Sequence, residues 1–317
     1  MVLLGAAFVI WDQMHWWETV ADYSFGYLVP LLFFYILWTR RSAIAGYCTP
    51  DTAAEVSKEP NTLGARFLEK LVPLTGTIET LAFCSAILGL ILFGMGALVR
   101  AALGPLPEAS LLISSGFGIG VLSSVFLASD RGTENRPLPL NRRLSLTLLF
   151  LFPALIWIIT APMIEGVERR ISLFLLDKVT VIVFSIVEAL GFALVREGNV
   201  LYLPKGEVGV AEACSGIRSL TACLFTGSFL GAAFLDKLWK KGLLVFLAMG
   251  LAFATNILRS FFLTIWAYQY GSEALEHTLW GISIHDLTGY SVLIITSLGL
   301  FALLPIFDLF DDLEEES

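Results

Sequence analysis

Long apolar runs alternate along the chain with short polar stretches. Several of the runs reach the roughly 20 helical residues needed to cross a bilayer. The pattern predicts helices near 1–12, 22–39, 75–100, 108–128, 145–163, 214–235, 242–268 and 285–306, the first of them short. A further run, 168–195, is nearly apolar enough to span, but Asp177, Lys178 and Glu188 interrupt it. If it crossed, either the Arg131–Arg143 cluster or the Lys237–Lys241 cluster would lie outside, so it reads as an amphipathic helix on the outer interface. From Gly198 to Ala213 two short apolar stretches flank Pro204-Lys205-Gly206, the pattern of a small hairpin. The connector 40–74, with its Pro, Lys, Glu and Asn, reads as a partly helical linker. No internal repeat is evident, which argues against the inverted-repeat architecture of many transporters.

Composition sharpens this picture. Apolar residues make up 56% of the 317 and charged residues 15%, with mean hydropathy +0.78. Soluble domains sit near 45–50% and about 25%, and surface-to-volume scaling leaves no way to hide such an excess from water. A pair of soluble domains, a disordered chain, a disulfide-stapled domain and a nucleic-acid binder are all excluded; net charge is −8 and four cysteines are scattered. The fold class is therefore an all-α polytopic membrane protein with about eight spans, an outer interfacial helix and a short extracytoplasmic β-hairpin. It forms a single membrane-embedded domain over 1–317, in which 164–213 is extracytoplasmic and 214–306 a three-helix core.

Lysine and arginine in short loops set the orientation. Arg40 and Arg41, then Arg131, Arg136, Arg142 and Arg143, then Lys237, Lys240 and Lys241 are all expected on the cytoplasmic side. Both termini follow, including the acidic tail at 307–317. No cleavable signal is expected, since a charged leading region and a small-residue cleavage pattern are missing. Trp11, Trp16, Trp17 and Trp38 read as an interfacial belt.

Ionisable groups within spans are costly and are functional candidates by default. Cys214 begins the sixth helix, Arg259 lies in the seventh and His285 opens the eighth. At 1.5 Å per residue from the nearest cytoplasmic boundary, they stand roughly 33, 27 and 30 Å up, a common level at the outer face. A thiolate at a helix N-terminus is a nucleophile, and Arg218 sits one turn along from Cys214 on the same face. An imidazole serves as base and then acid, and a fixed guanidinium stabilises an oxyanion or the thiolate. Gly216 and Gly289 leave room for close approach. Position alone leaves His277 and His15 as rivals to His285, and Arg259 could instead snorkel or join a structural ion pair. Cys84 and Cys223 read as packing residues, and Gly116-x-x-x-Gly120 and Gly227-x-x-x-Gly231 as helix-packing faces. No His-Glu-x-x-His motif and no Gly-rich phosphate loop occurs, so neither metal nor cofactor is expected.

Glu212-Ala213-Cys214-Ser215-Gly216-Ile217-Arg218-Ser219, then Asn256-x-x-Arg259, then His285-x-x-x-Gly289 resembles the ordered signature of the exosortase/archaeosortase family. The approach Gly198-Asn199-Val200-x-x-Leu203-Pro204 and the early Tyr23-Ser24-Phe25-Gly26 with Trp38-x-Arg40-Arg41 extend the similarity over most of the chain. Phe25 departs from the histidine found there in many relatives, which bears on the early motif and not on the other three. The third motif's His is more like that of bacterial members.

The resemblance implies a cysteine transpeptidase or protease in the cell membrane, with its active site at the extracytoplasmic face. Its substrates would be membrane-tethered exported proteins with a C-terminal sorting signal of the Pro-Glu-Pro type. The acceptor would be an unidentified amine or lipid-linked group. By position Cys214 is the nucleophile, Arg259 the charge stabiliser and His285 the acid/base, with Glu212, Gly216, Arg218 and Asn256 in support. A protease that only hydrolyses, and a non-enzymatic transporter or assembly scaffold, are the alternatives.

Overall fold

Within lipid every backbone N–H and C=O must be satisfied inside its own segment, so the apolar runs fold as helices. The computed structural model describes residues 2–48, 72–129, 138–209, 217–279 and 282–315, and these are mostly helical. Five described helices are long and apolar enough to cross a membrane: Thr75–Leu103, Pro107–Ala128, Leu140–Ile159, Leu238–Tyr270 and Ile284–Phe307. Two shorter apolar helices cover Tyr23–Thr39 and Ser219–Phe234. The first helix, α1 (Val2–Thr19), runs on past the predicted end at residue 12 through Asp12, Gln13, His15 and Glu18.

The chain divides into two compact units, Met1–Ile164 with Phe225–Val245, and Glu165–Leu224 with Phe246–Ser317. In the first, α1 is followed by a 3-10 segment (Ala21–Leu28), α2 (Val29–Thr39) and α3 (Arg41–Cys48), a helix at the start of the predicted linker. Then come α4 (Thr75–Leu103), α5 (Pro107–Ala128), α6 (Leu140–Leu149) and α7 (Leu151–Ile159). The predicted single helix over 145–163 thus starts earlier and breaks at Phe150, whose N–H turns back to Thr147 O at 3.0 Å.

Helices α4 and α5 pack through glycine. A Cβ at Gly116 would overlap the backbone of Phe93 and the Gly89 carbonyl, whereas one at Gly120 would meet open space. The apolar core joins Val9, Val29, Phe33, Ile113, Phe117, Ile156, Trp157 and Phe225. Most of the rest of α4 is exposed, including Leu81, Phe83, Leu90 and Leu98, as expected of a face turned to lipid.

Two ion pairs tie α4 to its neighbours. Arg100 Nε bonds Asp12 Oδ1 at 2.7 Å and Arg143 Nη1 bonds Glu79 Oε1 at 2.5 Å. Glu79 and Arg100 stand about 31 Å apart along α4, close to the thickness of the hydrocarbon core. Each end of the helix is therefore tied where it would leave the apolar slab. Beside Asp12, Gln13 donates to Ser114 Oγ (2.7 Å) and Trp157 O (3.0 Å), accepts from Thr160 Oγ1 (3.2 Å) and is fully buried.

The early motif has structural work in this unit. Tyr23 Oη accepts from the Met163 N–H at 2.9 Å, and Phe25 stacks on Phe225 with centroids 5.0 Å apart. Gly26 is required because a Cβ there would overlap the Trp17 indole. Trp17 is accordingly buried, not part of an interfacial belt, while Trp11 and Trp38 are exposed. Arg40 bonds Leu235 O at 2.7 Å, Ala232 O at 3.3 Å and the Asp236 carboxylate. It caps the carbonyl end of α9 (Ile217–Phe234), where a cation also meets the negative end of the helix dipole. Cys223 is buried as a packing residue, but Cys84 is exposed on α4, contrary to expectation.

In the second unit the interrupted run is helix α8 (Glu165–Ala189). Leu176, Val179, Thr180, Val183 and Val187 form one buried face. They pack with Phe253, Ile257 and Leu263 of α10 (Leu238–Tyr270). The helix is amphipathic as predicted but ends short of residue 195. Gly191 (φ +86°) stops it: its N–H returns to Glu188 O at 2.9 Å and that of Phe192 to Val187 O at 3.3 Å. This is a Schellman cap, and it needs the left-handed backbone that glycine supplies.

The predicted hairpin is present with one strand more. β1 (Val195–Glu197), β2 (Val200–Leu203) and β3 (Gly206–Gly209) form an antiparallel sheet in that order, Leu203 pairing with Gly206 across the turn. The turn is tied down by Lys205 Nζ, which donates to Gln269 O at 2.6 Å. Arg196 of β1 bonds Asp177 of α8 at 2.8 Å. The Lys178 ammonium, hydrogen-bonded to Asp177 at 3.1 Å, and then Arg196 hold that carboxyl below its ordinary range.

Candidate functional site

Helix α10 meets α11 (Ile284–Glu315) along a seam of small and polar residues. Leu251 lies against Gly299, and Thr255 Oγ1 shares a hydrogen bond with Thr296 Oγ1 at 3.0 Å. Further along α10, Arg259 faces Gly289, so partner numbers fall as α10 advances and the two helices run antiparallel. A Cβ at Gly289 would lie 3.3 Å from Arg259 Nη2 and 3.5 Å from Cζ. The glycine expected to permit close approach does so, and the group that approaches is the guanidinium.

A two-stranded hairpin, β4 (Thr278–Leu279) with β5 (Ile282–Ser283), leads into α11. Ser283 Oγ accepts from the Asp286 N–H at 3.0 Å, the N-cap bond that starts the helix. His285 thus sits in the first turn, with its side chain 25% exposed.

Arg259 Nη2 contacts His285 Nε2 at 3.1 Å and donates to His285 O at 3.2 Å, and Nε reaches Thr288 Oγ1 at 3.5 Å. Thr288 in turn donates to His285 O at 2.8 Å. On the other edge of the ring, His285 Nδ1 lies 3.4 Å from Asp286 Oδ1. Among the described residues Arg259 has no carboxylate partner, so it is not held in an ion pair there. No hydrogen bond among the described residues engages its Nη1, and free N–H donors are what a group must offer to stabilise developing negative charge.

Of the sequence candidates, Arg259 and His285 are brought together. His277 is exposed, its carbonyl accepting from the Ile284 N–H at 3.0 Å, and His15 packs edge-on against Trp16 in the other unit. Asn256 is buried on α10, lining a small cleft with Leu175, Leu220, Ala252 and Phe253. Cys214, Glu212 and Gly216 lie outside the described residues, and of Arg218 the structure describes only its place in the first turn of α9. Thr288 and Asp286 were not singled out from the sequence. Their signals are local: Thr288 stands three residues from His285 on one helix face, and Asp286 is the third residue after a capping serine. No three His, Cys, Asp or Glu side chains gather as a metal set among the described residues.

No curated protein and no solved structure matches the chain. The sequence model of the transmembrane exosortase family matches residues 16–302, a range that holds the early motif's Tyr23–Gly26, the Cys214 segment, Arg259 and His285. With most of the chain covered, from within α1 to within α11, this protein belongs to the transmembrane exosortase family.

Proposed function

We propose that the protein is a cysteine transpeptidase or protease that processes exported proteins while they are still tethered in the membrane by a C-terminal sorting signal. In this reading eight spans cross the cell membrane with both termini cytoplasmic, α8 lies on the outer interface, and the 214–306 helices carry the chemistry at the extracytoplasmic side. The observation that supports it most is the Arg259–His285 contact, at 3.1 Å, in a chain of the exosortase family.

The steps follow from the residue types. Cys214 gives its thiol proton to His285, and the thiolate attacks the scissile carbonyl carbon. Arg259 stabilises the resulting oxyanion. The C–N bond breaks as His285 returns the proton to the leaving amine, and a thioester remains on Cys214. An amine or lipid-linked nucleophile, or water, then attacks the thioester as His285 takes its proton; the C–S bond breaks and His285 passes that proton to the Cys214 sulfur, restoring the thiol. The substrate carries a Pro-Glu-Pro-type motif followed by its own transmembrane helix, which enters laterally from the bilayer. Glu212, Gly216 and Arg218 would shape the nucleophile's surroundings, and Asn256 the α10 face below Arg259. Processing of a tethered reporter, scored at equal abundance, tests this. Cys214→Ala, Arg259→Ala and His285→Ala are expected to abolish it and His277→Ala to spare it. Wild-type processing by Cys214→Ala overturns the reading.

A further inference from the structure

We propose that Asp286 is a positioning residue for His285, holding its imidazole as the Nδ1–H tautomer so that Nε2 is the atom that takes and returns the proton. This rests on the acid/base role assigned to His285 above.

The guanidinium decides one edge of the ring. Arginine stays charged and has donors only. With Arg259 Nη2 at 3.1 Å, Nε2 must be the acceptor, and in a neutral imidazole the other nitrogen then carries the hydrogen. That nitrogen faces Asp286 Oδ1 at 3.4 Å, and an ionised carboxylate can only accept. The opposite tautomer would set N–H against N–H on one side and lone pair against carboxylate on the other. Both neighbours therefore select the same form.

The backbone at this point does not depend on the Asp286 side chain. Its N–H is held by Ser283 Oγ at 3.0 Å, and the His285 carbonyl by Thr288 Oγ1 and Arg259 Nη2 at 2.8 and 3.2 Å. The carboxylate is left to act on the ring. It orients Nε2 in the resting state; as Arg259 Nη2 leaves Nε2 for the substrate's carbonyl oxygen, Nε2 takes the Cys214 proton, and the carboxylate then faces the Nδ1–H of the imidazolium. When Nε2 passes that proton to the leaving amine, the original tautomer is restored.

The test uses the purified full-length protein with ¹⁵N-labelled histidine, His285 being assigned by its loss in His285→Gln. The wild-type ring is expected to show a protonated Nδ1 and a bare Nε2. Asp286→Ala is expected to move it toward a tautomer mixture and to lower kcat about fivefold, the ceiling for a solvent-exposed charge pair, with KM within about twofold. Ser283→Ala, which weakens the helix cap without touching the ring, should shift neither nitrogen. A wild-type ring protonated at Nε2, or an Asp286→Ala variant with unchanged tautomer and kcat, overturns the assignment. The nitrogen spectra require no turnover, so they judge Asp286 even if Cys214→Ala retains processing and the proposed function falls.

Discussion

Arg259→Lys separates charge from geometry at the site. Lysine keeps the positive charge but loses the fork. Its Nζ falls near the position of the arginine Cζ, about one C–N bond (~1.3 Å) short of Nη2. From there the present 3.1 and 3.2 Å contacts to His285 Nε2 and O stretch beyond hydrogen-bond range unless α10 and α11 move together. The 3.5 Å Nε contact to Thr288 is at the limit already and contributes little. A charge-assisted hydrogen bond contributes about 1.5–3 kcal/mol. Two of them at a half-buried position, discounted for solvent, give a loss of about 2 kcal/mol, or roughly 30-fold in rate. The assay is the initial rate of reporter processing by the purified variant in vesicles, with thermal unfolding run alongside to show an unchanged fold. A rate within about twofold of wild type would refute the reasoning, because Arg259 would then act through charge alone.

Other outcomes concern the scaffold. Asp12→Ala removes the fully buried partner of Arg100 and is expected to cost about 3 kcal/mol in denaturation of the detergent-solubilised protein, most of it recovered in Asp12→Leu/Arg100→Leu; no recovery would mean that the pair itself, not an uncompensated charge, sets the cost. Gly116→Ala should lose about 1–3 kcal/mol by prising α4 from α5, while Gly120→Ala, with open space at its Cβ, should be neutral or slightly stabilising; equal effects at the two sites would contradict the packing. The depressed Asp177 carboxyl gives stability that is present above its ordinary range near pH 4 and is lost as pH falls through its lower folded value. The melting-temperature gap between wild type and Asp177→Asn should thus be flat from about pH 5 to 8 and close under stronger acid; a gap that widened on acidification would reverse the sign.

What was legible in the sequence depended on how local the signal was. Apolar periodicity located the long helices, and Pro204-Lys205-Gly206 marked its hairpin, because both are set within a few residues. The added strand β1 escaped notice since its pairing with β2 depends on Gly191 ending α8 in time to free Val195. The polar end of α1 was lost for another reason. Asp12 and Gln13 look like an exit from the membrane until Arg100, Ser114 and Thr160, about 90 to 150 residues away, supply their partners. At the site, spacing brought Arg259 and His285 to one level, but only the antiparallel seam of α10 and α11 puts them in contact, and Thr288 enters through that contact. Trp17 misled because a tryptophan near a helix end reads the same whether it meets headgroups or a facing glycine.

The most direct test is to look for the covalent intermediate. The purified protein, mixed in vesicles with a membrane-tethered substrate and quenched in acid, is digested and the peptide containing Cys214 is weighed by mass spectrometry. The mechanism predicts a thioester adduct on Cys214 equal in mass to the substrate segment before the scissile bond. It should accumulate in the absence of acceptor and be absent in Cys214→Ala. Processing that proceeds at the wild-type rate in Cys214→Ala, with no adduct on the wild-type peptide, would contradict it.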